Sequence, residues 1–238
     1  GSFKYKLLVA MMLAGEYPYK SLDLCRESDT RKKNSISELK NAGIITTATA
    51  YDIKRIRFKM FNKRKGEFAD ELFDGGAEYK PDIHENGLSR LERKDRIAEI
   101  IIMMLEAGIN VTPDLKPKPD CEKALEQTAS CLPYFITSRE AREAITIKED
   151  KGKGARFHGT LVSAGGMYNI YNMGSIKMGW IRPAEKTAID FNEQYQKRMI
   201  PWGNNYAEWY GKSAIILSRN LCYINDFIKG KIDLRGCD

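Results

Sequence analysis

The chain has 238 residues, 42% of them hydrophobic and 30% charged, with a formal net charge of +7. This length exceeds a typical single domain and this composition belongs to a folded globular protein, so a mainly disordered or low-complexity chain is excluded and two domains are expected. The charge is unevenly placed: residues 1–65 hold 15 Lys plus Arg against 6 Asp plus Glu, a net of +9, whereas the rest hold 24 against 26, a net of −2. A basic balance confined to one small segment points to a polyanion met by that segment, the alternative being a solvated basic face on a protein-binding module.

The five cysteines, Cys25, Cys121, Cys131, Cys222 and Cys237, contain no CxxC pair, so neither a disulfide framework nor a zinc ribbon is indicated. Gly1 and Ser2 read as a cloning remnant, and the apolar residues after them follow no signal-peptide plan; the expected compartment is the cytoplasm. The most apolar run, from Ile97 to Ile109, is interrupted by Glu99 and Glu106 and is too short to span a bilayer, so no membrane association is expected.

In chain order, Phe3 to Ala14 places Leu7, Leu8, Met11, Met12 and Leu13 at helical spacing and predicts a first helix. Pro18 suits the start of a second, Lys20 to Glu27, with Leu22 and Cys25 inward. Asp29 and Thr30 are good N-cap residues for a third helix from Arg31 to Ala42, which Gly43 would end. Ile36 and Leu39 give this helix a narrow apolar stripe, leaving Arg31, Lys32, Asn34 and Ser35 near its N-terminal turn for a DNA groove. The β-branched run Ile44 to Thr49 and the alternating run Tyr51 to Lys59, with Ile53 able to open the second strand, predict a basic hairpin bearing Lys54, Arg55 and Arg57. Helix, glycine and two strands is the winged-helix order. Double-stranded DNA is therefore the expected partner, through Arg31, Lys32, Asn34, Ser35, Lys54, Arg55 and Arg57.

Residues 61–86 show no sustained period and read as a linker or flap. Ser89 to Ala107 predicts a strong helix ended by Gly108, either buried in its own subunit, connecting two domains or forming a dimer interface. Pro113, Pro117 and Pro119 make Val111 to Asp120 an extended connection. Beyond it, Phe135 to Ile145 predicts a short strand and a helix capped at Thr137 or Ser138, with Glu140 in its first turn. Strand-like runs follow at Arg156 to Ser163, Met167 to Asn172 and Ser175 to Ile181, then a helix from Pro183 to Arg198, a strand from Ser213 to Leu217 and a helix from Arg219 to Ile228. The expected organisation is a winged helix over 1–65, a linker and connecting helix over 66–120, and a small mixed-sheet α/β domain over 121–238.

Several stretches carry a family resemblance: Glu38 to Ile45, Tyr134 to Glu140, Ala155 to Gly159 leading to Tyr168 to Asn172, and Trp180 to Glu185. On these the chain resembles the replication-relaxation family of plasmids and conjugative elements, which includes mobilisation relaxases of the MobC type. The resemblance implies an α+β protein in which a winged helix-turn-helix precedes a restriction-endonuclease-like core. It also implies action on origin DNA, relaxosome or replication proteins as partners, and Mg²⁺ or Mn²⁺ where members cut.

The chain departs from such nuclease cores in one respect. They carry an acidic residue on one strand and an acid-x-Lys set on the next, whereas Tyr168 to Asn172 has no carboxylate and Ser175 to Ile181 offers only Lys177. The flanking carboxylates Glu140, Glu185 and Asp190 are the candidate metal ligands and catalytic acids, with Lys186 as the cation nearest an attacking water; Glu185 and Lys186 read equally as a solvated first turn. Arg139 and Arg156 would clamp phosphate or form structural ion pairs. His84 and His158 are expected to be non-catalytic, and Tyr168, Tyr171, Tyr206 and Tyr210 are the tyrosines available in principle as nicking nucleophiles. The second functional reading is a transcription regulator, in which a C-terminal sensing or homodimerising domain controls the winged helix.

Overall fold

The first helix is apolar almost all round, and a helix of that kind belongs inside a core rather than on a surface. In the computed structural model α1 (Phe3–Ala14) is this central element, with Phe3, Leu7, Leu8, Val9, Ala10, Met11 and Ala14 buried. Ser2 Oγ accepts the Tyr5 amide hydrogen at 3.4 Å, and Gly15, at φ 93°, ends the helix. The structure describes residues 1–60, 62–73, 87–116, 132–144, 157–163, 166–174, 188, 191–194 and 213–229. The chain divides into two units, Gly1–Leu115 and Lys116–Asp238.

In the first unit α1 is followed by β1 (Glu16–Pro18), a 3₁₀ turn (Tyr19–Leu24), α2 (Asp29–Asn41), β2 (Ile45–Ala50), β3 (Ile53–Phe58), α3 (Asn62–Leu72), α4 (Leu88–Glu106) and a second 3₁₀ turn (Pro113–Leu115). The strands form an antiparallel sheet in the order β1-β3-β2. Tyr17 lies opposite Ile56 and Ile45 opposite Phe58, which puts these four buried residues on one face of the sheet. Arg55, Arg57, Glu16 and Pro18 share the other.

Three expectations are corrected here. The predicted second helix is a 3₁₀ turn preceded by the short strand β1. The predicted third helix begins at Asp29 with Ser28 as its cap, one residue before the expected cap. The expected linker contains α3, which is held to the hairpin by an edge-to-face contact of Phe68 with Phe58, centroids 5.8 Å apart, and which buries Ala69 and the following Phe73. Residues 74–86 lie outside the described structure.

In the second unit β4 (Tyr134–Thr137) leads into α5 (Ser138–Ala144), then β5 (Gly159–Ser163), β6 (Gly166–Gly174), β7 (Ser213–Ser218) and α6 (Leu221–Ile228). The sheet runs β4-β5-β6-β7, antiparallel for the first two pairings and parallel between β6 and β7. A parallel pair needs a long crossover, and residues between β6 and β7 supply buried Ala188 and Phe191 in helical conformation. The expected strand Ser175 to Ile181 and most of the expected helix Pro183 to Arg198 lie outside the described residues. The fold is α+β. No described helix is long and apolar enough to cross a membrane.

Candidate nucleic-acid interface

α2 is fixed at both ends by local chemistry. Ser28 Oγ accepts the Arg31 amide hydrogen at 3.4 Å. At the other end Gly43, at φ 72°, donates to the Lys40 carbonyl at 2.9 Å and Ile44 donates to the Leu39 carbonyl at 3.0 Å, a Schellman closure that a left-handed glycine permits. The buried stripe is Lys32, Ile36 and Leu39, spaced by four and three residues. Lys32 therefore points inward, only 7% exposed, and is removed from the set of groove residues. Its ammonium donates to the Leu22 carbonyl at 3.0 Å and pairs with Asp29 at 2.8 Å. The Lys32 hydrogen bond, and then the charges of Lys32 and Lys33, hold the Asp29 carboxyl below its ordinary value. Exposed on α2 are Arg31, with 79% of its side chain in solvent and Glu27 at 3.5 Å, together with Lys33, Asn34 and Ser37; Ser35 is half-buried. Lys33 is thus a candidate in the place of Lys32.

The hairpin turns through Tyr51 and Asp52, at φ 51° and 58°, between the paired residues Ala50 and Ile53. Two consecutive positive φ values in a two-residue loop match a type I′ turn, whose twist suits paired strands. Tyr51 is therefore the tip, and the second strand opens at Ile53, one of the two starts expected for it. Lys54, Arg57 and Lys59 are exposed, with the Lys54 ammonium 4.5 Å from the Tyr19 ring centroid.

Arg55 is different, at 1% exposure, and is corrected from a DNA contact to an internal clamp. Its Nε and Nη2 donate to the two carboxylate oxygens of Asp95 on α4 at 2.9 and 2.8 Å. Nη1 donates to the carbonyls of Ala50 at 2.9 Å and Ile53 at 3.4 Å, and Glu16 lies 3.9 Å away. Burial works against this charge, but the hydrogen bonds and charge of Asp95 outweigh it and the pKa rises. A planar fork with five donors suits such a junction, as a lysine would not.

The face of α4 that carries Asp95 repeats the device. Asp95, Glu99 and Glu106, spaced four and seven residues apart, lie along one side of the helix. Glu99 accepts from Ser21 Oγ of the 3₁₀ turn at 2.5 Å, and Glu106 pairs with Lys6 of α1 at 2.9 Å. Three carboxylates of one helix thus fasten the hairpin, the turn before α2 and the central helix. Tyr17 donates to the Ser21 carbonyl at 2.6 Å beside them, and burial, followed by its neighbours Cys25, Glu99 and Asp23, pushes its phenol far up. Burial pushes the Cys25 thiol up to about 11.

In the second unit, Glu140 Oε2 accepts from the Thr137 amide at 2.7 Å and hydroxyl at 2.8 Å, while Thr137 Oγ1 accepts from the Glu140 amide at 3.3 Å. That is a reciprocal cap at the start of α5. Lys116, nearly buried, brings its ammonium to 2.8 and 2.7 Å from the two oxygens of Glu140 and donates to the Phe135 carbonyl at 2.9 Å. A carboxylate so occupied does not fit the role of metal ligand, and Glu140 is reassigned to the strand-helix junction. Arg139 is exposed. His158 is buried in the sheet, its Nδ1 accepting the Asn172 amide at 3.1 Å. A buried polar knot joins Thr160, Asn169 and Asn192: the Thr160 hydroxyl donates to Asn169 Oδ1 at 3.0 Å and Asn192 Nδ2 to the same atom at 3.1 Å.

Arg156, Glu185, Lys186 and Asp190 lie outside the described residues, as do His84, Tyr206 and Tyr210. Among the described residues no group of three or more His, Cys, Asp or Glu side chains is placed to hold a metal ion. Comparison with protein-family models, curated proteins and solved structures gives no match to this chain.

Proposed function

We propose that the first unit is a winged helix-turn-helix that binds duplex DNA, and that the protein serves replication or mobilisation of a plasmid or conjugative element by binding origin DNA. The observation that carries this reading is the outward set Arg31 and Lys33 on capped α2 with Lys54, Arg57 and Lys59 on the hairpin that follows it. These cations lie in the segment that holds the whole positive excess of the chain. Asn34, Ser35 and Ser37 on the same helix are short polar side chains suited to base edges, while the cations meet phosphate. The resemblance to the replication-relaxation family supports origin DNA as the target. Glu140 is given no metal-binding role in this reading, because it is committed to Thr137 and Lys116.

The test is titration of a labelled duplex from an origin region with the full chain at several salt concentrations. Neutralising four or more phosphates gives a log-log salt slope of about −3.6 or steeper. Absence of duplex binding at low salt contradicts the proposal.

A further inference from the structure

The hairpin tip breaks a local rule. A two-residue I′ loop places both residues at positive φ, which Asn, Asp and Gly tolerate and a bulky side chain does not. Asp52 satisfies that preference; Tyr51, at φ 51°, does not. Tyr51 is also 54% exposed, so burial is a poor return for the unfavourable backbone. Such an outlier is a reason to look for a use.

The turn is also held from inside. The buried Arg55 guanidinium donates to the carbonyls of Ala50 and Ile53, the two residues that flank Tyr51 and Asp52, and is itself fixed by both oxygens of Asp95. The loop is therefore anchored at both ends to α4, and the aromatic at its tip is presented on a rigid mount. Exposed Lys54 follows two residues after the turn on the same hairpin, its ammonium 4.5 Å from the Tyr19 ring centroid.

We propose that Tyr51 is a DNA-contacting residue, whose ring packs on the sugar and base edges of the duplex next to the phosphates met by Lys54 and Arg57, with Arg55 as the residue that positions it. This rests on the DNA-binding reading above. A rigid aromatic with few rotamers loses little entropy on contact, and preorganisation of the turn lowers the cost further. The contact is apolar and releases no counterion, so it adds affinity without adding to the salt slope.

The experiment compares the full-length wild type with Tyr51→Asn and Tyr51→Phe, measuring duplex affinity, its salt slope and the Tm of each. Asn tolerates positive φ, so Tyr51→Asn keeps the turn, and its Tm is expected at or above the wild-type value. Its duplex affinity is expected to fall by at least about fivefold, by analogy with the loss of one aromatic stacking contact, at an unchanged salt slope. Tyr51→Phe is expected to bind within about twofold of wild type, since the ring is retained. Wild-type affinity in Tyr51→Asn overturns the inference and leaves the DNA-binding proposal standing. A lowered Tm or a flattened slope in Tyr51→Asn, or a loss in Tyr51→Phe equal to that in Tyr51→Asn, also overturns it. No duplex binding by the wild type overturns both.

Discussion

Removing the carboxylate of Asp95 leaves the Arg55 guanidinium buried with its bidentate partner gone, and one half of a buried pair is worth less than neither. Asp95→Ala is expected to cost about 3 to 5 kcal/mol of stability, measured by chemical unfolding; a loss below about 1 kcal/mol, the range of exposed pairs, would show that the pair is solvated. Cys25 offers a test by pH. Its thiol is raised from 9.0 to about 11, so the neutral form favours the folded state below pH 9.0, and that contribution is lost as pH rises from 9.0 through about 11. At pH 8 about one Cys25 in a thousand is thiolate. Peptide mapping after brief alkylation of the native protein is expected to find exposed Cys222 modified and Cys25 untouched; equal labelling would contradict its burial. The inward turn of Lys32 was legible in the sequence, because position 32 extends the stripe of Ile36 and Leu39 by one helical step. The burial of Arg55 was not. It depends on a carboxylate 40 residues further along the chain, and no local pattern in β3 separates Arg55 from Arg57.

Elements whose signals are local were read correctly: α1 by its apolar residues, α2 by Gly43, α4 by its period and Gly108, and the junction of β4 and α5 by Thr137 and Glu140. Those that depend on partners were missed. The strand β1 has three residues and exists because β3 pairs with it. In α3 and the residue after it the stripe of Phe68, Ala69, Leu72 and Phe73 is obscured by Gly66 and by Lys63, Arg64 and Lys65, and packing on Phe58 supports a helix of modest propensity. Glu140 shows how one pattern serves two readings, since an acid in the first turn of a helix beside a sheet suits both a metal ligand and a cap. Glu140→Gln keeps an oxygen for Thr137 but leaves the Lys116 ammonium without its counter-charge. It is expected to lose about 1 to 3 kcal/mol of stability with duplex affinity unchanged. Wild-type stability combined with loss of Mg²⁺-dependent nicking of supercoiled origin plasmid would return Glu140 to the chemistry.

At the scale of the whole molecule, the charge is divided more finely than the structure: residues 1–65 hold a net of +9, residues 66–115 of the same unit hold 5 Lys plus Arg against 12 Asp plus Glu, and the two units therefore carry +2 and +5, so the positive excess is concentrated in the segment of α2 and the hairpin rather than in the first unit as a whole. The second unit is a mixed sheet whose described interior is apolar apart from satisfied polar groups such as Thr160, Asn169 and Asn192. In the first unit the inward cations, Lys32 and Arg55, hold α2 and the hairpin in place, and the outward ones, Arg31, Lys33, Lys54 and Arg57, face solvent. The cations thus divide by role, and that division can be measured directly. The measurement is the salt dependence of duplex binding by the full chain carrying Arg31→Ala, Lys33→Ala, Lys54→Ala and Arg57→Ala together. Losing four phosphate contacts is expected to reduce the log-log slope by about 3 to 4 while Tm stays near the wild-type value. A slope equal to that of the wild type would place the DNA elsewhere on the protein and contradict the central claim.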